Sequence, residues 1–345
     1  MIRFNNDYNH GCLPEILAAI EKTNEETFPG YGADDLCTAA ANKLREEIGW
    51  DDADIHFLPG ATQANFIVHA AALRPIESVV CAQTGHIVGH EAGSVENTGH
   101  QVIALPCGHE GKLGAEQVRA VAQAYAEGGA PEHLTVPRLV YVSQPTEYGA
   151  LYSLEELQAL KDVCEEYDML LFVDGARLAY ALGAEANDVT LWDLAALCDV
   201  FTIGGTKCGA LFGEAVVITN DVLKPHFRTY MKQNGAVLAK GWLLGVQFYT
   251  LFAEGAYHRI GARADAMAMQ IRDAFLRKGL PLYVDSPTNQ QFVLLSKAQQ
   301  AAFARTFIFE NYAVDEHGHD IVRFCTSWAT EQKEVDALVS AIERL

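Results

Sequence analysis

The segment Val200-Phe-Thr-Ile-Gly-Gly-Thr-Lys-Cys-Gly-Ala210 joins a short apolar run to a lysine flanked by glycines. Val200 to Ile203 reads as a buried strand. Gly204-Gly205 ends it, and Gly209 permits a second tight bend. Lys207 therefore stands just past a core strand, at the mouth of a sheet, where α/β proteins bind ligands. An amine partly removed from water there is neutral more often than a surface amine and can act as a nucleophile. Taken alone, a lysine in such a loop is more often simply solvated.

One strand earlier the pattern recurs. Leu170-Leu-Phe-Val173 is another continuous apolar run, followed at once by Asp174-Gly-Ala-Arg177. A carboxylate leaving a buried strand, then a turn and an arginine, suits a cofactor with a protonatable ring nitrogen. Pyridoxal phosphate enzymes pair a lysine with such an aspartate. The competing readings are a helix N-cap for Asp174 and a surface helical residue for Arg177.

The chain has 345 residues, half of them hydrophobic, enough for one large domain and a smaller one. Lys+Arg 25 against Asp+Glu 45 leaves a net charge of −20. That balance argues against nucleic acid or an anionic membrane as a partner. An anionic ligand must then rely on helix N-termini and a few basic side chains. Eight cysteines are scattered without a CxxC or metal spacing, which suggests a reducing compartment. With no signal-like apolar core near Met1 and no bilayer-length run, a cytoplasmic location is expected.

From Ile55 onward, strands alternate with helices, as in a mostly parallel sheet with right-handed crossovers. Expected strands are Ile55–Leu58, Ser78–Ala82, Gly99–Leu105, Arg138–Ser143, the Asp174 and Lys207 strands, and Ala215–Thr219. Beyond Asp221 the pattern becomes helix-rich, with a long helix over Tyr257–Lys278. Short strands at Leu282–Val284, Gln291–Leu295 and Val322–Thr326 and two helices then form an α+β unit. A division into 1–255, an N-terminal arm with a large α/β domain, and 256–345, a small C-terminal α+β domain, follows.

The turn Pro59-Gly-Ala-Thr-Gln-Ala-Asn65 opens a helix whose free N–H groups and dipole could cradle a phosphate, with Thr62 adding a hydroxyl. An ordinary βα turn looks the same. His86 could stack on a flat ring or be an ordinary loop residue; with 12 histidines in the chain, position alone decides nothing. A plain Rossmann-type nucleotide binder is disfavoured, because no glycine-rich fingerprint follows the first strand.

Together these residues resemble the L-threonine aldolases, in the β-eliminating-lyase branch of fold-type-I pyridoxal 5'-phosphate enzymes. The resemblance runs nearly end to end. It rests on Asn6-Asp7, Tyr31-Gly32, Ala61-Thr-Gln-Ala-Asn65, His86 with Glu91-Ala-Gly93, Val173-Asp-Gly-Ala-Arg177, Thr206-Lys207 and Arg323. It implies Lys207 as the cofactor's covalent anchor, Asp174 on the ring nitrogen, His86 stacked on the ring, and Ala61-Thr62 at the phosphate. Arg177 and Arg323 would meet the substrate carboxylate, with Asn6 and Tyr31 also at the substrate. Homodimers or homotetramers with shared sites are implied, across which Tyr31, Lys232 or Lys240 would reach.

The implied activity is cleavage of a β-hydroxy-α-amino acid such as threonine to glycine and an aldehyde, a carbon–carbon lyase reaction. A β-eliminating lyase, another amino-acid pyridoxal phosphate enzyme, or a pyridoxal phosphate protein without turnover are the alternatives. Four positions depart from the family pattern: Asn6 for serine, Ala61 for glycine, Thr206 for serine, and Glu147 where a loop histidine is usual. Glu147 follows a strand at the sheet's carboxyl edge, so it is expected to face the substrate with a raised pKa as proton acceptor. A turn carboxylate bonded to backbone is the rival reading, with His86 and His90 then next as the base.

Overall fold

A computed structural model describes residues 1–345. Seven strands form the central sheet: β1 (Asp54–Leu58), β2 (Glu77–Ala82), β3 (Gln101–Leu105), β4 (Val136–Ser143), β5 (Leu170–Asp174), β6 (Val200–Gly204) and β7 (Glu214–Ile218). Their spatial order is β1-β7-β6-β5-β4-β2-β3. Strands β2 to β6 pair in parallel. Every residue of β5 and β6 is buried, as their unbroken apolar runs require when helices cover both faces.

The exception is β7, antiparallel to both β6 and β1. The loop from β6 to β7 is too short for a crossover, so the chain must reverse. Lys207 lies in that reversal. Gly205 and Thr206 donate their N–H groups to the Gly213 carbonyl at 2.9 and 3.0 Å, which fixes the loop at its base. Because β1 and β6 both oppose β7, they run the same way. Leu58, Glu214 and Gly204 fall in one register row, so the Gly60 turn and the Lys207 loop leave the sheet at the same edge. Ser143 and Asp174 are register partners at that edge too.

After β7 the helices Phe227–Gln233 and Trp242–Ala253 lead to the long helix Ala256–Arg277. Its first half, through Tyr257, Ile260 and Ala264, joins the large core. Its second half, through Met267, Ile271 and Phe275, joins a second core with Phe324 and, from the other end of the chain, Phe4. That second core lies under an antiparallel sheet of β8 (Leu282–Val284), β9 (Gln290–Leu294), β10 (Glu310–Val314) and β11 (Asp320–Cys325), in the order β10-β11-β9-β8.

Three of these strands lie within two residues of their expected bounds. β10 does not appear in the sequence reading, because Glu-Asn-Tyr-Ala-Val has polar residues on an edge strand and hence little apolar patterning. The first residues of the chain, Ile2–Arg3, pair in parallel with Phe307–Ile308.

Candidate active site

Asp174 ends β5 and is 3 % exposed. Tyr141 Oη and Asn65 Nδ2 donate to Oδ2 at 2.6 and 2.8 Å, and the Ala176 N–H donates to Oδ1 at 2.8 Å. Burial alone would raise its pKa, but the nearby His86 and these donors hold it below the usual carboxylate range. An aspartate so held is an ionised acceptor, the form a protonated ring nitrogen requires. Lys207 is shifted the other way: burial, then the Arg177 charge, lowers its pKa against the pull of Asp7, Glu214 and Asp174.

Two adjoining cavities share His86, Glu147, Arg177 and Lys207. The inner one adds Asp174, Ser143 and Ala176. The outer one, about 130 Å³, adds Tyr8, His90, Glu310, Tyr312 and Arg323. The His86 ring is steered by a carboxylate: Glu91 Oε1 lies 2.7 Å from its Nδ1 and also accepts from Asn65 Nδ2 at 2.7 Å. Ser94 Oγ donates to the other Glu91 oxygen at 2.7 Å. Asn65 thus ties Asp174 to the partner of His86.

Glu147 Oε1 accepts from the His86 N–H at 2.8 Å and from Ser143 Oγ at 2.7 Å. The backbone-bonded rival reading is therefore correct for one oxygen, while the residue also lines both cavities. Burial raises its pKa, Ser143 opposes the rise and Asp174 adds to it.

Arg177 meets Asp7 side-on, Nε to Oδ2 at 2.6 Å and Nη2 to Oδ1 at 3.0 Å. Asn289 Nδ2 also donates to Asp7, at 3.0 Å. Burial tends to raise the Asp7 carboxyl, but Arg177's charge and hydrogen bond, with Lys207 and Arg323, bring it down to about 2. Arg323, 6 % exposed on β11, donates Nη1 to Gln290 and Nη2 to the Asn5 carbonyl and Glu310.

The helix Ala61–Ala72 starts after Gly60 with no side-chain cap, its first i→i−4 bond running from the Ala64 N–H to the Gly60 carbonyl. The N–H groups of Ala61, Thr62 and Gln63 therefore have no intrahelical acceptor. A Cβ at Gly60 would meet nothing within 4 Å, so the approach is open.

Lys207, Asp174, His86, Glu147, Arg177 and Arg323 thus converge, while Ala61 and Thr62 lie along the same sheet edge outside the two cavities. Asn6 accepts from the Tyr8 N–H at 3.2 Å. Tyr31 lies apart, beside a separate cavity of about 220 Å³, with Lys232 Nζ 4.3 Å above its ring. Sequence reasoning assigned no role to Tyr141, Asn65, Glu91, Asp7 or Glu310. Asn65, Glu91 and Asp7 lie inside the quoted motifs, so only their partners were hidden.

The residues present fit pyridoxal phosphate. Asp174 is held ionised, Lys207 is biased toward the neutral amine, a histidine is braced beside them, and an uncapped helix start shares the edge. A mostly parallel sheet bearing this lysine and carboxylate at its strand ends defines a fold-type-I pyridoxal-phosphate enzyme. The model of the family described as beta-eliminating lyase matches residues 14–298, and the chain belongs to that family.

The chain is 30% identical to the low specificity L-threonine aldolase of Pseudomonas sp. (strain NCIMB 10558), over 99% of this chain and 96% of that one. A Leishmania major threonine aldolase structure superposes with a TM-score of 0.96 at 42% identity, covering 100% of this chain and 99% of that one. A Thermus thermophilus aspartate aminotransferase, 16% identical with a TM-score of 0.74 over 99% and 96% of the two chains, shares the fold.

Proposed function

We propose that the protein is a threonine-aldolase-type lyase that cleaves β-hydroxy-α-amino acids of the threonine and allo-threonine kind to glycine and an aldehyde. The observation that carries this is the convergence on one cavity of Lys207, an ionised Asp174, a buried arginine and a carboxylate of raised pKa. Full-length similarity to named threonine aldolases supports it. When bound, pyridoxal phosphate supplies an electron sink for the electron pair left at Cα.

The chain's own groups do the rest. Lys207 would supply the amine that anchors the cofactor, Asp174 would face its ring nitrogen in the ionised form, and the Ala61–Gln63 N–H groups with the Thr62 hydroxyl would take its phosphate. Arg323 grips the substrate carboxylate, and Arg177, held by Asp7, braces the same wall. The grip sets which bond of Cα is cleaved, which is a matter of orientation. Glu147 Oε1 is already engaged, so Oε2 takes the β-hydroxyl proton as the Cα–Cβ bond breaks and the aldehyde leaves. A proton from solvent then gives glycine at Cα, and Glu147 returns the proton it took to solvent.

No helix is long and apolar enough to cross a membrane, and all eight cysteines are free, which supports work in the cytoplasm. We further infer a homodimer or homotetramer, because Tyr31 and Lys232 stand half-exposed and outside the site they are expected to help complete.

The test is to incubate the holoenzyme with L-threonine, L-allo-threonine and phenylserine. Glycine and aldehyde are the expected products; a keto acid and ammonia would instead make it a β-eliminating enzyme. Borohydride reduction should fix the cofactor to Lys207, and Lys207→Ala should lose that link.

A further inference from the structure

Arg323 has five N–H groups in a fixed planar fork, and a carboxylate is gripped best by two parallel ones. Two such edges exist, Nε with Nη2 and Nη1 with Nη2, and both run through Nη2. Nε is buried with no hydrogen-bond partner, while Nη1 holds only Gln290 at 2.9 Å. Both Nη2 hydrogens are taken, one by the Asn5 carbonyl at 3.0 Å and one by Glu310. Neither edge can take a carboxylate at two points until Nη2 gives up an acceptor.

The two acceptors differ in freedom. The Asn5 carbonyl is fixed, because the preceding Phe4 is locked by its N–H to the Ile308 carbonyl at 2.7 Å and by its own carbonyl to the Cys325 N–H at 2.7 Å. Glu310 lies directly across from Arg323 in the β10–β11 pair, on the edge strand, with its side chain 43 % exposed. It also lines the outer cavity beside Arg177, Lys207 and Tyr312.

We propose that Glu310 is a displaceable stand-in for the substrate carboxylate. It neutralises Arg323 and swings out when the amino acid's own carboxylate takes Nη2 and its neighbour. The proposal rests on Arg323 being the carboxylate grip. Its cost falls on binding, since every substrate must first displace an internal anion of the same chemistry.

The test compares the parent with Glu310→Gln and Glu310→Ala as holoenzymes. It reads KM and kcat for threonine cleavage and, apart from turnover, the Kd of glycine and of acetate by titration calorimetry. KM and both Kd values should fall about tenfold, the worth of one competing charge-assisted hydrogen bond, with the change in KM and not in kcat. A rise in KM and Kd in both variants would mean that Glu310 supports Arg323, and unchanged values would mean that it never competes; either overturns the proposal. Arg323→Ala runs alongside: if it leaves KM and the acetate Kd unaltered, the carboxylate grip itself is misplaced, a failure separate from that of Glu310.

Discussion

At Glu147 a single side chain holds two positions, bracing the His86 backbone with Oε1 while lining both cavities. Its raised pKa, caused first by burial, sets the sign of a pH effect. A base must be ionised to accept a proton, so kcat/KM should fall as pH drops through the elevated Glu147 pKa, above the ordinary carboxylate range. Glu147→Gln keeps the shape and the hydrogen bond from the His86 N–H while removing the basic oxygen. It should still bind substrate yet cleave it ~100-fold or more slowly, with the acid limb lost from the profile. Stopped-flow turnover across pH reads both effects. Cleavage at the parental rate would pass the role to His90, whose pKa is lowered by burial and by the charges of His86, Arg323 and Arg177, or to His86.

Two helices meet with almost no side chain between them. A Cβ on Gly261 would come within 1.8 Å of the Ala179 carbonyl oxygen, and one on Gly183 within 2.2 Å of the Ala262 nitrogen. This contact seats the helix Leu178–Gly183, and its Tyr180 hydroxyl donates to the Lys207 carbonyl at 2.6 Å. In isolation, Gly261→Ala would favour the long helix by about 1 kcal/mol. The clash is with backbone that cannot rotate away, so overpacking of about 1–3 kcal/mol or more wins. The variant should melt several degrees lower and lose activity as the Lys207 loop shifts; a raised Tm in a thermal scan would show the helices free to part. Such contacts mark the limit of sequence reading. The strand ends bearing Asp174 and Lys207 are legible, because an apolar run cut off by Asp-Gly or Gly-Gly is a local signal. The reversed direction of β7 depends on loop length, the edge strand β10 carries little apolar pattern, and the partners of Asp174, His86 and Arg177 come from segments far along the chain.

Across the whole molecule, the site lies between the carboxyl edge of the large sheet and the face of the small one, and the N-terminal arm joins the two. Phe4 is anchored in the second core, Asn5 gives its carbonyl to Arg323, and Asp7 crosses to Arg177. Asp7 is the joint with the greatest electrostatic stake, its side chain being 0 % and that of Arg177 13 % exposed. Asp7→Asn keeps the shape but leaves a buried guanidinium without its counter-ion, a loss of about 3–5 kcal/mol in stability. The carboxyl is lowered from 3.8 to about 2 on folding, so its contribution is present above the unfolded value and disappears as pH falls through the folded one. The gap between parent and variant in urea midpoint should therefore hold steady from neutral pH down to about 5 and shrink below about 4. Arg177, released from its brace, should also raise KM for the amino acid while the borohydride-fixed link at Lys207 survives. A gap that is small at neutral pH, or that widens in acid, would show that the arm is held by Phe4 and the Ile2–Arg3 pairing alone.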